Sequence, residues 1–163
     1  MTALTDHFTL EELEGVGPHT GIDNTPPAGL ASNAILLAEK LEQARKIWGV
    51  PVRVSYGYRC KALNDAVGSQ DTSAHRLFLA VDAIPMGLDL RKAWDMLVAD
   101  AFFMRDVDQL IIERGCVHIG LAIPAHDNVP RNELRLDVDV NGVRTYPLYG
   151  IWTPEGVKKA GNG

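Results

Sequence analysis

Two ionisable side chains lie inside apolar segments of this chain, and their need for partners constrains the fold more than any other feature. Asp82 lies within a strand predicted over residues 79–84, and His118 lies within the apolar run of residues 117–121. A second imidazole, that of His75, ends a polar loop seven residues before Asp82. Burial of a polar group costs free energy unless a partner satisfies it. We therefore expect the folded chain to provide a partner for each of these side chains.

Helix signals are clearest in the first two thirds of the chain. A capping box at Thr9 and Glu12 starts a short helix. Apolar residues spaced three and four apart predict a longer helix over residues 34–48, which ends at Gly49. A second amphipathic helix begins after Asp89, whose side chain is a typical N-cap. Each of these two longer helices presents one apolar face for burial in a core.

The strand signals indicate an antiparallel sheet. Hairpin turns are predicted at Gly115 and at the Asn-Gly pair that ends with Gly142. The predicted strands cover residues 50–58, 79–84, 109–113, 116–121, 134–140 and 143–148, and a short helix covers residues 61–67. This order predicts an α+β fold, a small antiparallel sheet packed by helices. We expect one domain over residues 1–152 and a loose tail over residues 153–163.

Composition excludes several functional classes. The 163 residues are 46% hydrophobic and carry a net charge of -5, which disfavours disorder and argues against binding to nucleic acid. No apolar run is long enough for a membrane span, and no signal peptide is predicted at the N-terminus, so we expect no membrane partner. Cys60 and Cys116 lie in no CxxC motif, which favours synthesis in a reducing compartment such as a cytoplasm.

The three side chains introduced first have the composition of a metal site. Two imidazoles and one carboxylate are a common ligand set for a zinc ion that keeps a fourth position for water. The same residues also fit a buried histidine–aspartate hydrogen bond without metal, and residue types alone leave both readings open. The other histidines, which are His7, His19 and His126, are expected at the surface.

The segments around these residues resemble a known family. Residues 73–82 resemble the SxHxxGxAxD signature of zinc D-alanyl-D-alanine peptidases of the M15 type, which include carboxypeptidases, vancomycin-resistance dipeptidases and phage L-alanyl-D-glutamate endolysins. Residues 55–64 resemble the family's SGYR…LN segment, and residues 108–118 resemble its DQLIxE…WVH segment. Phe8 to Leu13 and Gly21 to Asn24 resemble the opening of its phage and bacterial branch.

The resemblance implies a Hedgehog/DD-peptidase fold and a role for each of six residues. His75, Asp82 and His118 would bind Zn²⁺, and Glu113 would be the general base. Arg59 would stabilise the oxyanion or hold a substrate carboxylate, and Ser73 would hydrogen-bond the substrate or lie near the first ligand. The alternatives are an exposed charge at a strand end for Glu113, a surface salt bridge for Arg59 and a loop hydroxyl for Ser73.

Two positions depart from the family pattern. Phe78 replaces a glycine, and its ring is expected either to pack into the core or to occlude the substrate channel. Cys116 replaces a tryptophan and shares a strand face with His118, so a thiolate ligand to the metal is one interpretation. Either change is a reason to expect reduced peptidase activity.

These observations lead to two functional hypotheses. The first is a zinc peptidase of D,D- or L,D-type that hydrolyses peptidoglycan stem peptides, as a phage-type endolysin or a virion-associated muralytic enzyme acting at the cell wall or within a virion. The second is a catalytically impaired virion structural or decoration protein that keeps the fold and contacts other phage virion proteins.

Overall fold

A seven-stranded sheet forms the centre of the computed structural model, which describes residues 1–161. Its strands lie in the order β1-β2-β4-β3-β5-β8-β9, and β6 and β7 form a separate two-stranded ribbon. The strands are β1 Val52–Tyr56, β2 Ala80–Pro85, β3 Val107–Glu113, β4 Cys116–Leu121, β5 Glu133–Leu136, β6 Val138–Val140, β7 Val143–Thr145, β8 Leu148–Thr153 and β9 Gly156–Lys159. Neighbouring strands are antiparallel except for the parallel pair β3 and β5.

Within residues 1–161, five α-helices accompany the sheet, which confirms the predicted α+β fold. They are α1 Leu10–Leu13, α2 Ala31–Trp48, α3 Lys61–Ala66, α4 Leu90–Val98 and α5 Ala101–Met104, with short 3-10 helices at Ala28–Leu30, Ala74–Leu77 and Pro124–His126. The predicted capping box is present. The Thr9 side chain accepts a hydrogen bond from the backbone N–H of Glu12, and the Glu12 carboxylate accepts one from the backbone N–H of Thr9. Within residues 1–161, no helix has both the length and the apolar character needed to cross a bilayer.

Helices α2 and α4 pack on the sheet through the apolar faces that the sequence predicted. The buried side of α2 consists of Ala34, Leu37, Ala38, Lys40, Leu41, Ala44 and Trp48. The indole N–H of Trp48 donates to the carbonyl oxygen of Ala93 at 2.9 Å, which ties α2 to α4. Gly49 ends α2 with a left-handed φ of 68°, a conformation that costs glycine little. The core therefore lies between these helices and the central strands.

The central strands place the polar residues of the apolar segments opposite each other. In the pairing of β2 with β4, Asp82 is the direct partner of His118. In the pairing of β3 with β4, Glu113 is the direct partner of Cys116. Directly paired residues of antiparallel strands project from the same face of a sheet. The register alone thus brings Asp82 and His118 together on one face.

The C-terminal third differs from the sequence prediction. The strands predicted over residues 134–140 and 143–148 are each divided, because the chain leaves the main sheet after β5, forms the β6–β7 ribbon and returns as β8. Gly156–Lys159, expected in a loose tail, forms β9 and pairs with β8. Trp152, which belongs to β8, is buried and so attaches this segment to the core. Residues 162 and 163 of the predicted tail lie outside the described residues.

Phe78 packs into the core. Its side chain is fully buried, and its ring stacks on that of Tyr58 with centroids 5.4 Å apart. Phe78 follows the 3-10 helix Ala74–Leu77 and has a left-handed φ of 59°. Glycine adopts this conformation without the steric penalty that other residues pay. The backbone therefore explains why a glycine suits this position, and the ring is accommodated on the core side.

Core packing of the ring and the left-handed backbone of Phe78 together predict that the glycine variant is more stable than the alanine variant. Phe78→Ala should lower the free energy of unfolding by about 3 to 5 kcal/mol, because it leaves a cavity in the core. Phe78→Gly should lose about 1 kcal/mol less, because glycine relieves the left-handed backbone. Urea unfolding of the three proteins measures both differences. A loss below about 1 kcal/mol in both variants would contradict core packing of the ring, and a more stable alanine variant would contradict the backbone assignment.

Candidate active site

Three buried side chains from adjacent elements converge on one face of the β2–β4 pair. Asp82 and His118 come from the two strands, and His75 comes from the 3-10 helix that leads into β2. Asp82 Oδ1 lies 2.9 Å from His118 Nδ1 and 3.3 Å from His75 Nε2. The nitrogens His75 Nε2 and His118 Nδ1 lie 3.3 Å apart. Each residue therefore contributes one potential metal-ligand atom to a compact group of three.

A backbone carbonyl orients the His75 ring. His75 Nδ1 lies 2.6 Å from the carbonyl oxygen of Gly57. A carbonyl oxygen only accepts hydrogen bonds, so Nδ1 carries the hydrogen. The lone pair of Nε2 therefore points towards Asp82 Oδ1 and His118 Nδ1. Gly57 itself has no room for a side chain, because a Cβ there would lie 2.5 Å from the carbonyl oxygen of Leu13. The close contact of Gly57 with Leu13, the last residue of α1, fixes the position of the Gly57 carbonyl that orients His75.

Gly120 gives space to the His118 ring. It lies two residues after His118 on β4, and a Cβ at this position would lie 3.3 Å from His118 Nε2. Such a contact is tighter than most side chains tolerate, so a larger residue would press on the imidazole. Gly120 is not among the site residues predicted from the sequence, although its place two residues from His118 on the same strand is the signal that could have identified it.

Arg59 is buried against the same group. Its Nη2 lies 2.6 Å from Asp82 Oδ2 and 2.9 Å from His75 Nε2. Its guanidinium also lies over the Tyr56 ring at 5.0 Å, and its backbone N–H donates to the carbonyl oxygen of His75. Only 7% of Arg59 is exposed, which differs from the surface salt bridge that was its alternative interpretation. The cation thus faces the second oxygen of Asp82.

The surroundings set the charges of the group. Burial alone would raise the pKa of Asp82, but the neighbouring imidazoles of His75 and His118 hold that pKa well below its usual value. Burial lowers the pKa of His75. Burial also acts to lower the pKa of His118, but the hydrogen bond and charge of Asp82 outweigh it and raise that pKa. Asp82 is therefore the fixed negative charge around which the other groups are arranged.

Glu113 and Cys116 form the adjoining edge of the site. Glu113 Oε1 lies 4.0 Å from His118 Nδ1, and its side chain is 27% exposed. Burial, followed by the negative charge of Asp82, raises the pKa of Glu113. The Cys116 sulfur lies within 4.8 Å of carboxylate oxygens of Asp82 and Glu113, and burial beside these carboxylates raises the pKa of the thiol. A raised pKa favours the neutral thiol in the metal-free protein.

The group opens into a cleft of about 830 Å³. All six residues predicted for the site line this cleft, and they are Arg59, Ser73, His75, Asp82, Glu113 and His118. His126, expected at the surface, also lines it, and its Nδ1 is buried without a hydrogen-bond partner among residues 1–161. Arg144 and Tyr146, which the sequence analysis did not consider, form another part of the wall.

An ion pair between Asp108 and Arg131 ties the cleft wall to β3. Buried Asp108 accepts from the backbone N–H of Arg131 at 2.9 Å and from its guanidinium nitrogens Nε and Nη2, the latter at 2.5 Å. The guanidinium Nη1 also lies 3.7 Å from a carboxylate oxygen of Glu133. These contacts hold the segment before β5 against the first residues of β3. Asp108 therefore has a structural role in this wall.

The comparison with family models agrees with the geometry. Residues 6–120 match the model described as Peptidase M15. The match covers well over half of the chain and includes the three converging donors, Arg59 and Glu113. The chain therefore belongs to the peptidase M15 family, and membership implies peptidase activity. No curated protein matches the chain. Residues 121–161, which include Arg144 and Tyr146, lie beyond the matched region.

The Asp108–Arg131 pair predicts a stability difference between a buried and an exposed aspartate. Asp108→Ala should lower the free energy of unfolding by about 2 kcal/mol, because it leaves the backbone N–H and the guanidinium of Arg131 without their acceptor. Asp95→Ala is the control and should cost less than about 1 kcal/mol, since its ion pair with Arg91 lies at the surface. Equal losses in chemical denaturation would contradict the structural role of Asp108.

Proposed function

We propose that His75, Asp82 and His118 bind one zinc ion. Ligand atoms of a tetrahedral zinc at about 2.0 to 2.1 Å lie about 3.3 Å from one another. The three donor atoms of this group are separated by 2.9, 3.3 and 3.3 Å, so only small movements are needed. The carbonyl of Gly57 holds the His75 tautomer with a lone pair on Nε2, as a ligand requires. Two imidazoles and one carboxylate are a ligand set found in catalytic zinc sites.

We propose that the residues around this ion hydrolyse an amide bond. Zinc bound here would supply a Lewis acid that polarises the scissile carbonyl and acidifies water. Glu113, 4.0 Å from His118, takes a proton from the attacking water and returns it to the leaving nitrogen. Arg59 stabilises the negative charge that develops on the carbonyl oxygen or holds a substrate carboxylate, and Ser73 hydrogen-bonds the substrate. These roles use side chains that all line one cleft.

The substrate class we propose is the stem peptide of peptidoglycan. The observation that carries this proposal is the convergence of the three donors in an open cleft within the region that matches Peptidase M15. The opening segment, with its resemblance to the phage and bacterial branch, supports a phage-type endolysin or a virion-associated muralytic enzyme acting on amide bonds next to D-residues. The alternative of a virion structural protein loses support, because the Phe78 ring lies in the core.

Zinc binding should depend on the two imidazoles of the group. We expect one zinc per chain in the unaltered protein, and we expect His75→Ala and His118→Ala to lose it after dialysis, because two remaining donors hold zinc weakly. His126→Ala is the matched control, since His126 lines the same cleft outside the group and should keep the metal. Metal analysis by mass spectrometry measures the stoichiometry. Full zinc content in His118→Ala would contradict the assigned ligands.

Hydrolysis should depend on the carboxylate of Glu113. The unaltered protein should release muropeptides from purified peptidoglycan, and Glu113→Gln should slow release by about a hundredfold or more while keeping zinc and fold. Glu155→Gln, a substitution in the exposed turn between β8 and β9, should leave the rate unchanged. Chromatography of the released fragments identifies the bond that is cut. Unchanged turnover in Glu113→Gln would assign the base elsewhere, and no release by unaltered zinc-loaded protein would contradict the function.

A further inference from the structure

The β6–β7 ribbon adds a wall to the cleft that the family match does not include. Its residues follow position 120, where the match with Peptidase M15 ends. The backbone N–H of Asp137 donates to the carbonyl oxygen of Ile112, the residue before Glu113, at 2.9 Å. At the other end, the carbonyl oxygen of Tyr146 accepts from Arg135 Nη1 at 2.9 Å. Both ends of the ribbon are thus fastened to the sheet beside Glu113.

The pairing within the ribbon gives it one apolar and one polar face. Val140 pairs with Val143, and Asp139 pairs with Arg144, so the valines and Arg144 project from opposite faces. Val140 and Val143 are 55% and 63% exposed, which places the apolar face in solvent. Arg144 lines the cleft with Tyr146. The polar face of the ribbon is therefore the one turned towards the candidate active site.

Three guanidinium groups line the cleft, and they differ in the donors that remain for a ligand. Arg59 donates through Nη2 to Asp82 and faces His75, within the proposed metal group, and its Nε is buried without a hydrogen-bond partner among residues 1–161. Arg131 uses Nε and Nη2 on Asp108, and its Nη1 lies near Glu133. Arg144 donates through Nη1 to Asp137, while its Nε and Nη2 make no hydrogen bond within residues 1–161. The Arg144 side chain is 33% exposed, against 9% for that of Arg59. Arg144 therefore combines an exposed side chain with two adjacent unused donors.

We propose that Arg144 binds a free carboxylate of the substrate peptide. A guanidinium presents a planar set of donors that pairs with a carboxylate through two parallel hydrogen bonds. Nε and Nη2 of Arg144 form such an edge, while Nη1 and Asp137 hold the group in place. The inference rests on the proposed function, because stem peptides carry free carboxylates both on D-glutamate and at the C-terminus. With Arg144 bound to the substrate carboxylate, Arg59 is available to stabilise the charge that develops on the scissile carbonyl oxygen.

Peptides with and without each carboxylate provide the test. The probe is the synthetic pentapeptide L-Ala-γ-D-Glu-L-Lys-D-Ala-D-Ala, together with one form amidated at the D-glutamate carboxyl and another amidated at the C-terminus. Binding is measured by calorimetry on the zinc-loaded full chain carrying Glu113→Gln, which limits turnover. Adding Arg144→Gln should weaken binding of the free acid about tenfold or more. The same substitution should have no effect on the peptide that lacks the recognised carboxylate.

Asp137→Asn separates peptide binding from support of the ribbon. This variant removes the charge that competes for Arg144, so the free-acid peptide should bind at least as tightly as before. If the ion pair only held the ribbon in place, Asp137→Asn and Arg144→Gln would weaken binding of all three peptides alike, and the proposal would be wrong. Equal affinity of Arg144→Gln and its parent for every peptide, or no binding of any peptide, would also overturn it.

The outcome also distinguishes this inference from the proposed function. Hydrolysis by the unaltered protein that does not depend on Arg144 would contradict only the role of Arg144. Binding that depends on Arg144, without hydrolysis by the unaltered protein, would contradict only the peptidase function. Thermal unfolding of each variant, followed by circular dichroism, should show that the fold is retained.

Discussion

The buried carboxylate of Asp82 is the charge on which the rest of the site depends. Only 3% of this residue is exposed, and an isolated carboxylate at such a depth would be strongly unfavourable. Arg59 accompanies one of its oxygens, and His118 and His75 accompany the other. A slip of one residue between β2 and β4 would turn Asp82 and His118 to opposite faces. The register of the sheet and the charge balance of the site therefore support each other.

The residues of the site divide along the chain at the end of the family match. The proposed ligands and Glu113 lie on β2, β3, β4 and the turn before them, all within the matched residues 6–120. The segment after position 120 continues the sheet through β5, β8 and β9 and adds the β6–β7 ribbon at the cleft. Asp108 and Arg131 join the two parts. The proposed ligands and the outer wall of the cleft therefore come from different parts of the chain.

Local patterns in the sequence predicted the elements that local interactions determine. The spacing of apolar residues located α2 and α4, and polar residues in apolar strands identified Asp82 and His118. The parallel pairing of β3 with β5 and the addition of β9 depend on contacts between distant segments, so periodicity did not reveal them. His126 and Arg144 face the cleft only because their loop and ribbon fold back over the sheet. Phe78 was ambiguous because its backbone conformation decides where the ring points.

In the proposed site, two imidazoles and one carboxylate hold a zinc ion that Cys116 does not contact. X-ray absorption at the zinc edge of the loaded full chain tests this ligand set, because it reports the atoms bound to the metal. We expect nitrogen and oxygen ligands at about 2.0 to 2.1 Å, with the scattering pattern of two imidazoles. A sulfur ligand at about 2.3 Å, or a site with fewer than two imidazoles, would contradict it.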